Sequence, residues 1–350
     1  MTELALAPLT TMGVGGPAKE CFSAHDQGAL VDAVRTADAA GTAVLILGGG
    51  SNVIIGDAGF PGVVILVRNR GIAVREEPDR VSLVIDAGEP WDEVVALAVA
   101  QGWPGIEALS GIPGLSGATV IQNVGAYGQD IAEVLSGVRA LDRLTGDVVH
   151  LDASQCGLRY RGSRFKDEPH RWVVLSVTLT LRSARGAATS PVAYEQLAAA
   201  LHVDTGAPVE IGRIRDAVLG LRAQKGMIID PCDPESRSVG SFFTNPVLDP
   251  AVAAGIDPAC PRYPDPAGVK LSAAWLIESA GIDRGFPGRP DAPARVSRKH
   301  VLALVNAGSA SAADIVALAG TIRDRVLSVH GVLLEPEPTL VGCQLPDEQR

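Results

Sequence analysis

"VLILGGGSNVIIGD", residues 44 to 57, sets three glycines directly behind a short apolar strand and follows them with a second β-branched run. The segment decides between two folds. A G-x-G-x-x-G loop that opens a helix would make it the dinucleotide fingerprint of a doubly wound sheet. Gly48 and Gly50 fill the first two places of that pattern, but the third falls on Val53. Val53, Ile54 and Ile55 favour a strand, Gly56 and Asp57 punctuate it, and "GFPG" (59 to 62) is a turn before the apolar run "VVILV". The order is strand, glycine loop, strand. Backbone N–H groups of such a loop can form a concave nest for an anion without a helix dipole. A phosphate site therefore stays in the reading while a Rossmann dehydrogenase is disfavoured.

The bulk numbers bound the rest. A chain of 350 residues is long for a single core, so two or three domains are expected. Hydrophobic residues make up 47% and charged residues 20%, the balance of a folded protein with a large buried core. A net charge of −10 leaves no basic footprint for a nucleic-acid backbone, although a local cluster could still hold a small anion. The cysteines (Cys21, Cys156, Cys232, Cys260, Cys343) are odd in number, scattered and without C-x-x-C, which points to reduced structural thiols and no zinc site. "MTELALAPLTTMG" lacks the pattern of a signal peptide, and no apolar run is long enough for a bilayer span. A soluble cytoplasmic protein is the expectation.

Outward from the glycine loop, "DQGALVDAVRTADAAG" (26 to 41) has helical apolar spacing at Leu30, Val31, Val34 and Ala37, with Gly41 placed to end it. "VSLVIDAG" and "RWVVLSVTLTLR" (171 to 182) read as strands, and "PWDEVVALAVAQG" reads as a helix with Pro90 in its first turn. "IGRIRDAVLGLRAQKG" (211 to 226) is an amphipathic helix closed by Gly226, and residues 227 to 270 read as turns and loops. Two further helices follow, "KLSAAWLIESAG" and "SAADIVALAGTIRDRVLSVHG", the second opened by Ser311 and Asp314 and stopped by Gly331. "VLLEPEPTLVG" reads as a strand interrupted by prolines. Strands and helices without regular βαβ alternation indicate an α+β protein, with boundaries near 70 and 220.

Four segments could carry chemistry. "LSGIPGLSGATVIQNVGAYGQD" (109 to 130) is dense in glycine, which costs entropy and needs a reason: tight turns, or close approach of the backbone to a large nucleotide cofactor. "LRYRGSRFKDE" (158 to 168) clusters Arg159, Arg161, Arg164 and Lys166; on a strand Arg159 and Arg161 would share a face, as an anion clamp or as a charged sheet edge. "RSVGSFFTNP" sets Ser241 before two aromatics without G-x-S-x-G, and no histidine has the context of a base, so a hydrolase triad is poorly supported. "LEPEP" offers Glu335 and Glu337 among stiffening prolines. The tyrosines, Tyr127, Tyr160, Tyr194 and Tyr263, all lie near glycine- or proline-marked segments, a placement suited to a ligand pocket.

Taken in order, "LTTMGVGGPA", "LGGGSN", "GIPGLSGATVIQNVGAYG", "YRGSRFK", "GSFFTNP", "KLSAAWLIESAG", "VSRKHVLALVN" and "LEPE" resemble the type I UDP-N-acetylenolpyruvoylglucosamine reductase (UDP-N-acetylmuramate dehydrogenase) family over nearly the whole chain. The resemblance implies a two-part FAD-binding domain of the vanillyl-alcohol-oxidase/PCMH type plus a smaller α+β substrate-binding domain. Residues 1–70, joined by 331–350, would form the first FAD subdomain, 71–222 the second, and 223–330 the substrate domain. FAD would be non-covalent, because Ser51 and Asn52 stand where some members of the wider superfamily carry a tethering histidine. Gly48, Gly49, Gly50, Ser51, Asn52, Ser116, Thr119 and Gly125 would bind it. NADPH would be the reductant and a nucleotide-sugar enolpyruvyl ether the substrate. Hydride would pass from FAD N5 to C3 and a proton from Ser241 to C2, giving UDP-N-acetylmuramate for peptidoglycan, in cell-wall growth and division. Arg161 would polarise the substrate carboxylate and Glu337 would be the third catalytic residue, with Glu335 the other candidate. Tyr127, Tyr160, Tyr194, Lys225, Asn245, Tyr263 and Lys270 would lie around substrate or NADPH. A monomer is implied. Two alternatives stand beside this: an alcohol or sugar oxidase of the same fold, and a binding protein without catalysis.

Overall fold

The computed structural model describes residues 4–183 and 188–346. They fall into two compact units. The first comprises residues 4–17, Gly50–Phe60 and 225–346, and the second comprises Ala18–Gly49 and the described residues of Pro61–Gln224. The chain passes between them inside the glycine loop, from Gly49 to Gly50.

In the second unit, Val44–Leu47 pairs in parallel with Phe60–Val67, Val44 opposite Val63 and Leu47 opposite Leu66. A parallel pair buried on its faces explains the continuous apolar runs. The strand begins at Phe60, so "GFPG" lies partly within it. No helix follows the glycine loop; the next element is the strand Val53–Ile55. The helix Gln27–Ala39 starts at Asp26, whose carboxylate accepts from the Ala29 N–H at 2.8 Å, and it buries Leu30, Val31, Val34 and Ala37 as the spacing predicts. A five-stranded antiparallel sheet carries the main core in the order Asp147–Asp152, Leu135–Asp142, Trp172–Arg182, Arg80–Asp86, Ile72–Glu76. Trp91–Ala100 packs Trp91, Val94, Val95 and Ala98 into that core, with Pro90 at the N-cap rather than inside the first turn.

The glycine-rich segment is more regular than its composition suggests. Ser116–Gln122 is a short helix, ended by Asn123 at φ +45°. Thr, Val and Ile in a helix this short leave no periodic signal, which is why the sequence does not reveal it.

In the first unit, Val53–Ile55 pairs in parallel with Thr339–Val341, Val53 opposite Thr339. Only those three residues of "VLLEPEPTLVG" form a strand; the preceding stretch touches the fold through an isolated bridge from Phe243 to Pro336. Residues 227 to 270 hold, besides turns, Val247–Leu248 and the hairpin Arg262–Asp265/Gly268–Leu271, which form a small three-stranded sheet. The helix Ala312–His330 carries the expected Ser311/Asp314 capping box and closes at Gly331, φ +67°. A second cap comes from far away in sequence: Asp57 accepts from the N–H groups of Ala312 at 2.8 Å and Ala313 at 3.0 Å. The unit's core gathers Ile54, Phe242, Phe243, Leu276, Ile315 and Ile322. All the cysteines are free thiols, and burial pushes Cys156 up to about 11. Among the described residues, no helix is long and apolar enough to cross a membrane.

Asp57 satisfies two N–H groups at a helix end where the dipole favours a negative charge. Replacing it by alanine is expected to cost about 1 kcal/mol of stability, the usual worth of a cap. Denaturant titration of Asp57→Ala checks this, and Asp57→Asn should retain part of the loss.

Candidate active site

The glycine loop is shaped first by the protein's own backbone. At Gly50, φ is +64° and a β-carbon would sit on the Leu9 carbonyl oxygen. At Gly49 a β-carbon would come 2.9 Å from the Cα of Gly114, so the two glycine-rich loops of the second unit lie backbone against backbone. Tight packing thus explains these two glycines without a ligand. Gly48 differs: a β-carbon there would meet the Leu115 side chain at 3.6 Å, an ordinary contact. The Arg68 guanidinium donates to the Gly48 carbonyl at 3.1 Å, a residue with no sequence signature that singles it out.

Within the first unit, Gly50–Asn52 is laced to two other segments. The Thr11 N–H donates to the Gly50 carbonyl at 3.0 Å, while the Thr11 hydroxyl donates to the Ser238 carbonyl at 2.9 Å. Thr11 lies in "LTTMGVGGPA", a motif whose position was readable but whose task was not. On the other side the Asn52 carbonyl accepts from the Thr339 N–H at 3.0 Å, and the Asn52 carboxamide donates to the Glu337 carbonyl at 3.4 Å.

Ser241 and Glu337 come from adjacent segments of the same unit. Ser241 is paired opposite Ala303, the Phe242 N–H donates to Leu302 at 2.7 Å, and the Glu337 N–H donates to Phe242 at 2.8 Å. Phe242 and Phe243, their rings 5.1 Å apart, are fully buried and anchor the segment that carries the half-buried serine. Of the two glutamates, Glu337 is half-buried, whereas Glu335 is exposed and offers its carbonyl to the Thr244 N–H at 3.1 Å. Asn245 accepts from the Ala273 N–H at 2.9 Å. Tyr263 and Lys270 are cross-strand partners in the hairpin, with Lys270 also opposite Val247. Tyr263 is therefore on a strand, not in a loop. His300, passed over at the sequence level, is pushed down to about 4 by burial and by the charges of Lys225 and Arg284, so it is neutral at physiological pH.

Arg161 does not sit on a strand beside Arg159. Residues 159 to 162 form a tight turn closed by reciprocal bonds between Arg159 and Gly162 at 3.0 Å, with Arg161 at φ +49°. The turn sends the two arginines to different partners. Arg159 pairs with Asp167 at 2.5 Å, whereas Arg161 donates to the carbonyls of Asn123 at 3.2 Å and Gly125 at 2.7 Å. Arg164 lies over the Trp172 ring at 5.9 Å, and Lys166 donates to Gln122 at 3.1 Å. Tyr160 lies under the Arg161 guanidinium at 5.4 Å. Tyr127, at φ +48°, meets Tyr194 edge-to-face with centroids 5.7 Å apart. Gly125 has no room for a β-carbon beside the Asp130 carboxylate. The Ser116 and Thr119 hydroxyls are buried and donate to the carbonyls of Glu89 at 3.0 Å and Ser116 at 2.6 Å.

A polar cofactor fits the second unit's set. Gln122 Nε2 and Asn123 Oδ1 are buried without a hydrogen-bond partner among the described residues, a state proteins rarely leave uncompensated. Gly48 leaves the loop open where its neighbours are filled. Gly48→Ala is accordingly expected to fold normally yet lose flavin: circular dichroism should be unchanged, with flavin affinity reduced roughly tenfold or more by one badly placed methyl.

The comparisons with known proteins agree along the chain. A profile described as an FAD binding domain matches residues 19–152, and one described as the C-terminal domain of UDP-N-acetylenolpyruvoylglucosamine reductase matches residues 232–341. The chain is 50% identical to the UDP-N-acetylenolpyruvoylglucosamine reductase of Salinispora arenicola, covering 98% of this chain and 96% of that one. It is 49% identical to the enzyme of Nocardia farcinica, covering 97% and 89%. The crystal structure of the Thermus caldophilus reductase superposes with a TM-score of 0.67 at 25% identity, over 97% of this chain and 98% of that one. With full-length identity at this level and the FAD and C-terminal domain matches in the expected order, the chain belongs to the UDP-N-acetylenolpyruvoylglucosamine reductase family.

Proposed function

We propose that this protein reduces the enolpyruvyl group of UDP-N-acetyl-3-O-(1-carboxyvinyl)-glucosamine with NADPH, giving UDP-N-acetylmuramate for peptidoglycan, and that it does so in the cytoplasm as a monomer. Bound FAD would supply the hydride-transfer chemistry that connects NADPH with C3 of the enol ether. Gly48 to Asn52 and the residues around Ser116, Thr119 and Gly125 would hold it. The proposed division of labour gives residues 1–70 with 331–350 and 71–222 to the cofactor, and 223–330 to the substrate.

Ser241 is the proton donor to C2. A serine hydroxyl is a poor acid in water, so the role requires a strongly basic acceptor and a fixed donor. The acceptor is basic because hydride addition at C3 pushes electrons through C2 onto the carboxylate. The donor is fixed because Ser241 is bridged to Ala303 and the backbone of its neighbour Phe242 is bonded to Leu302 on one side and to Glu337 on the other. That pinning is the observation that carries the reading. Glu337, protonated or hydrogen-bonded to substrate, steadies the charge as it develops.

Arg161 supplies the opposite charge for the substrate carboxylate. Two carbonyl acceptors and a left-handed backbone hold its guanidinium in place before any substrate arrives, which is what electrostatic preorganisation requires. Tyr127, Tyr160, Tyr194, Lys225, Asn245, Tyr263 and Lys270 are assigned to substrate or NADPH binding, Lys225 and Lys270 as candidates for the diphosphate. No observation favours the oxidase alternative.

The test is a half-reaction. Ser241→Ala should leave flavin reduction by NADPH within about twofold of wild type and slow reoxidation by substrate by at least about a hundredfold, the scale of lost general-acid catalysis. Stopped-flow absorbance separates the two steps. If both fall together, Ser241 is not the donor.

A further inference from the structure

The segment paired with Ser241 is itself held by a buried charge cluster that the proposed chemistry does not use. Ala303, opposite Ser241, closes a turn that begins at Ser297: the Ser297 N–H donates to the Ala303 carbonyl at 2.8 Å, and the Ala303 N–H donates to His300 at 3.1 Å. The Ser297 hydroxyl organises the inside of that turn, accepting from the N–H groups of Lys299 at 3.0 Å and His300 at 3.3 Å. It also donates to the Glu235 carboxylate at 2.7 Å. Glu235 takes two further bonds, from the Arg298 N–H at 2.9 Å and the Arg295 guanidinium at 2.5 Å. Ser297 is fully buried and Glu235 nearly so, while Gly226, at φ +67°, packs directly against the Glu235 side chain.

A buried ion pair returns little net stability over an apolar substitute of the same shape, because its desolvation offsets its attraction. What it does supply is geometry: a charged carboxylate with three donors admits few other arrangements. The donors here all belong to residues 295–298, the strand end and turn that lead to Leu302 and Ala303. Lys299 adds an outer tie to Asp233 at 2.8 Å, half-exposed and of secondary weight.

We propose that Glu235 and Ser297 are positioning residues for proton delivery: the carboxylate–hydroxyl pair sets the turn against which the Ser241 backbone is paired, and so fixes where the serine hydroxyl points. The inference rests on Ser241 being the donor. Neither residue touches the reacting atoms, so their effect is confined to the step in which the proton moves.

The experiment uses the FAD-loaded enzyme under anaerobic conditions, with NADPH and then the enolpyruvyl nucleotide sugar. Ser297→Ala should reduce its flavin within about twofold of wild type and reoxidise about tenfold or more slowly, as a displaced catalytic group does. Its solvent deuterium isotope effect on reoxidation should exceed that of wild type, since proton transfer now limits the step. Combining Ser297→Ala with Ser241→Ala should slow reoxidation no further than Ser241→Ala alone, because a positioning residue has nothing left to position. Reoxidation within twofold of wild type, equal loss in both half-reactions, or full additivity in the double variant would overturn the proposal. Wild-type reoxidation in Ser241→Ala would instead overturn the donor reading beneath it. Should Ser297→Ala fail to fold, Glu235→Gln, which keeps size and an acceptor oxygen, is measured against the same outcomes.

Discussion

At Gly50 the carbonyl of Leu9 stands where a side chain would begin, and the N-terminal segment can pass the glycine loop only because that side chain is missing. Much of the first unit's geometry is referred to this crossing. Thr11, two residues beyond Leu9, binds Gly50 through its backbone and Ser238 through its hydroxyl. Ser238 leads to Ser241, and Asn52 leads into the strand that pairs with Thr339–Val341, next to Glu337. A loop that reads as a phosphate cradle is therefore also the point from which the serine and the glutamate are placed. Backbone-to-backbone packing has few adjustable parts, so errors in it spread through everything attached.

The second unit meets the need for fixed positions by storing strain. Asn123, Tyr127 and Arg161 hold positive φ, a region that non-glycine residues seldom enter and that costs energy unless the surroundings enforce it. Two of them are linked: Arg161 donates to the Asn123 carbonyl, and Asn123 donates to Arg159 in the same turn as Arg161. Strained residues that are tied to one another hold a charged group more tightly than a flexible side chain on a regular strand could. This accords with a role in stabilising charge as it forms.

How much of this was legible in the sequence depends on the range of the interaction. Local rules carried the helix starting at Asp26, the capping box of Ser311, the strand at 172–182 and the absence of a helix after Gly50. They failed where a residue's conformation is set by a distant partner. Arg159 and Arg161 would share a face on a strand, yet backbone bonds between Arg159 and Gly162 close a turn there, and the distant carbonyls of Asn123 and Gly125 take the Arg161 guanidinium. Nothing local shows that Asp57 caps a helix at 312, or that Val53–Ile55 pairs with the C-terminal strand. The candidate site residues could be named from the sequence because the motifs that carry them stand in order along the chain. Thr11, Arg68 and His300 were missed because a single polar residue has no pattern; their meaning lies in contacts.

The glycines show the same division. Their density signals a backbone under constraint, but in the loop of residues 48 to 50 the constraint at Gly49 and Gly50 is another piece of the chain, and of those three Gly48 alone is left open. Cofactor and fold thus compete to explain the same residues, and only chemistry performed by the holoenzyme separates them. The most direct measurement is to reduce the purified flavoprotein with NADPH without oxygen, add the enolpyruvyl ether of UDP-N-acetylglucosamine, and follow the oxidised flavin band. Rapid return of the band is the predicted result, since it requires flavin, reductant and acceptor in one protein. A band that stays bleached until air is admitted would leave the flavin fold intact and contradict the proposed reaction.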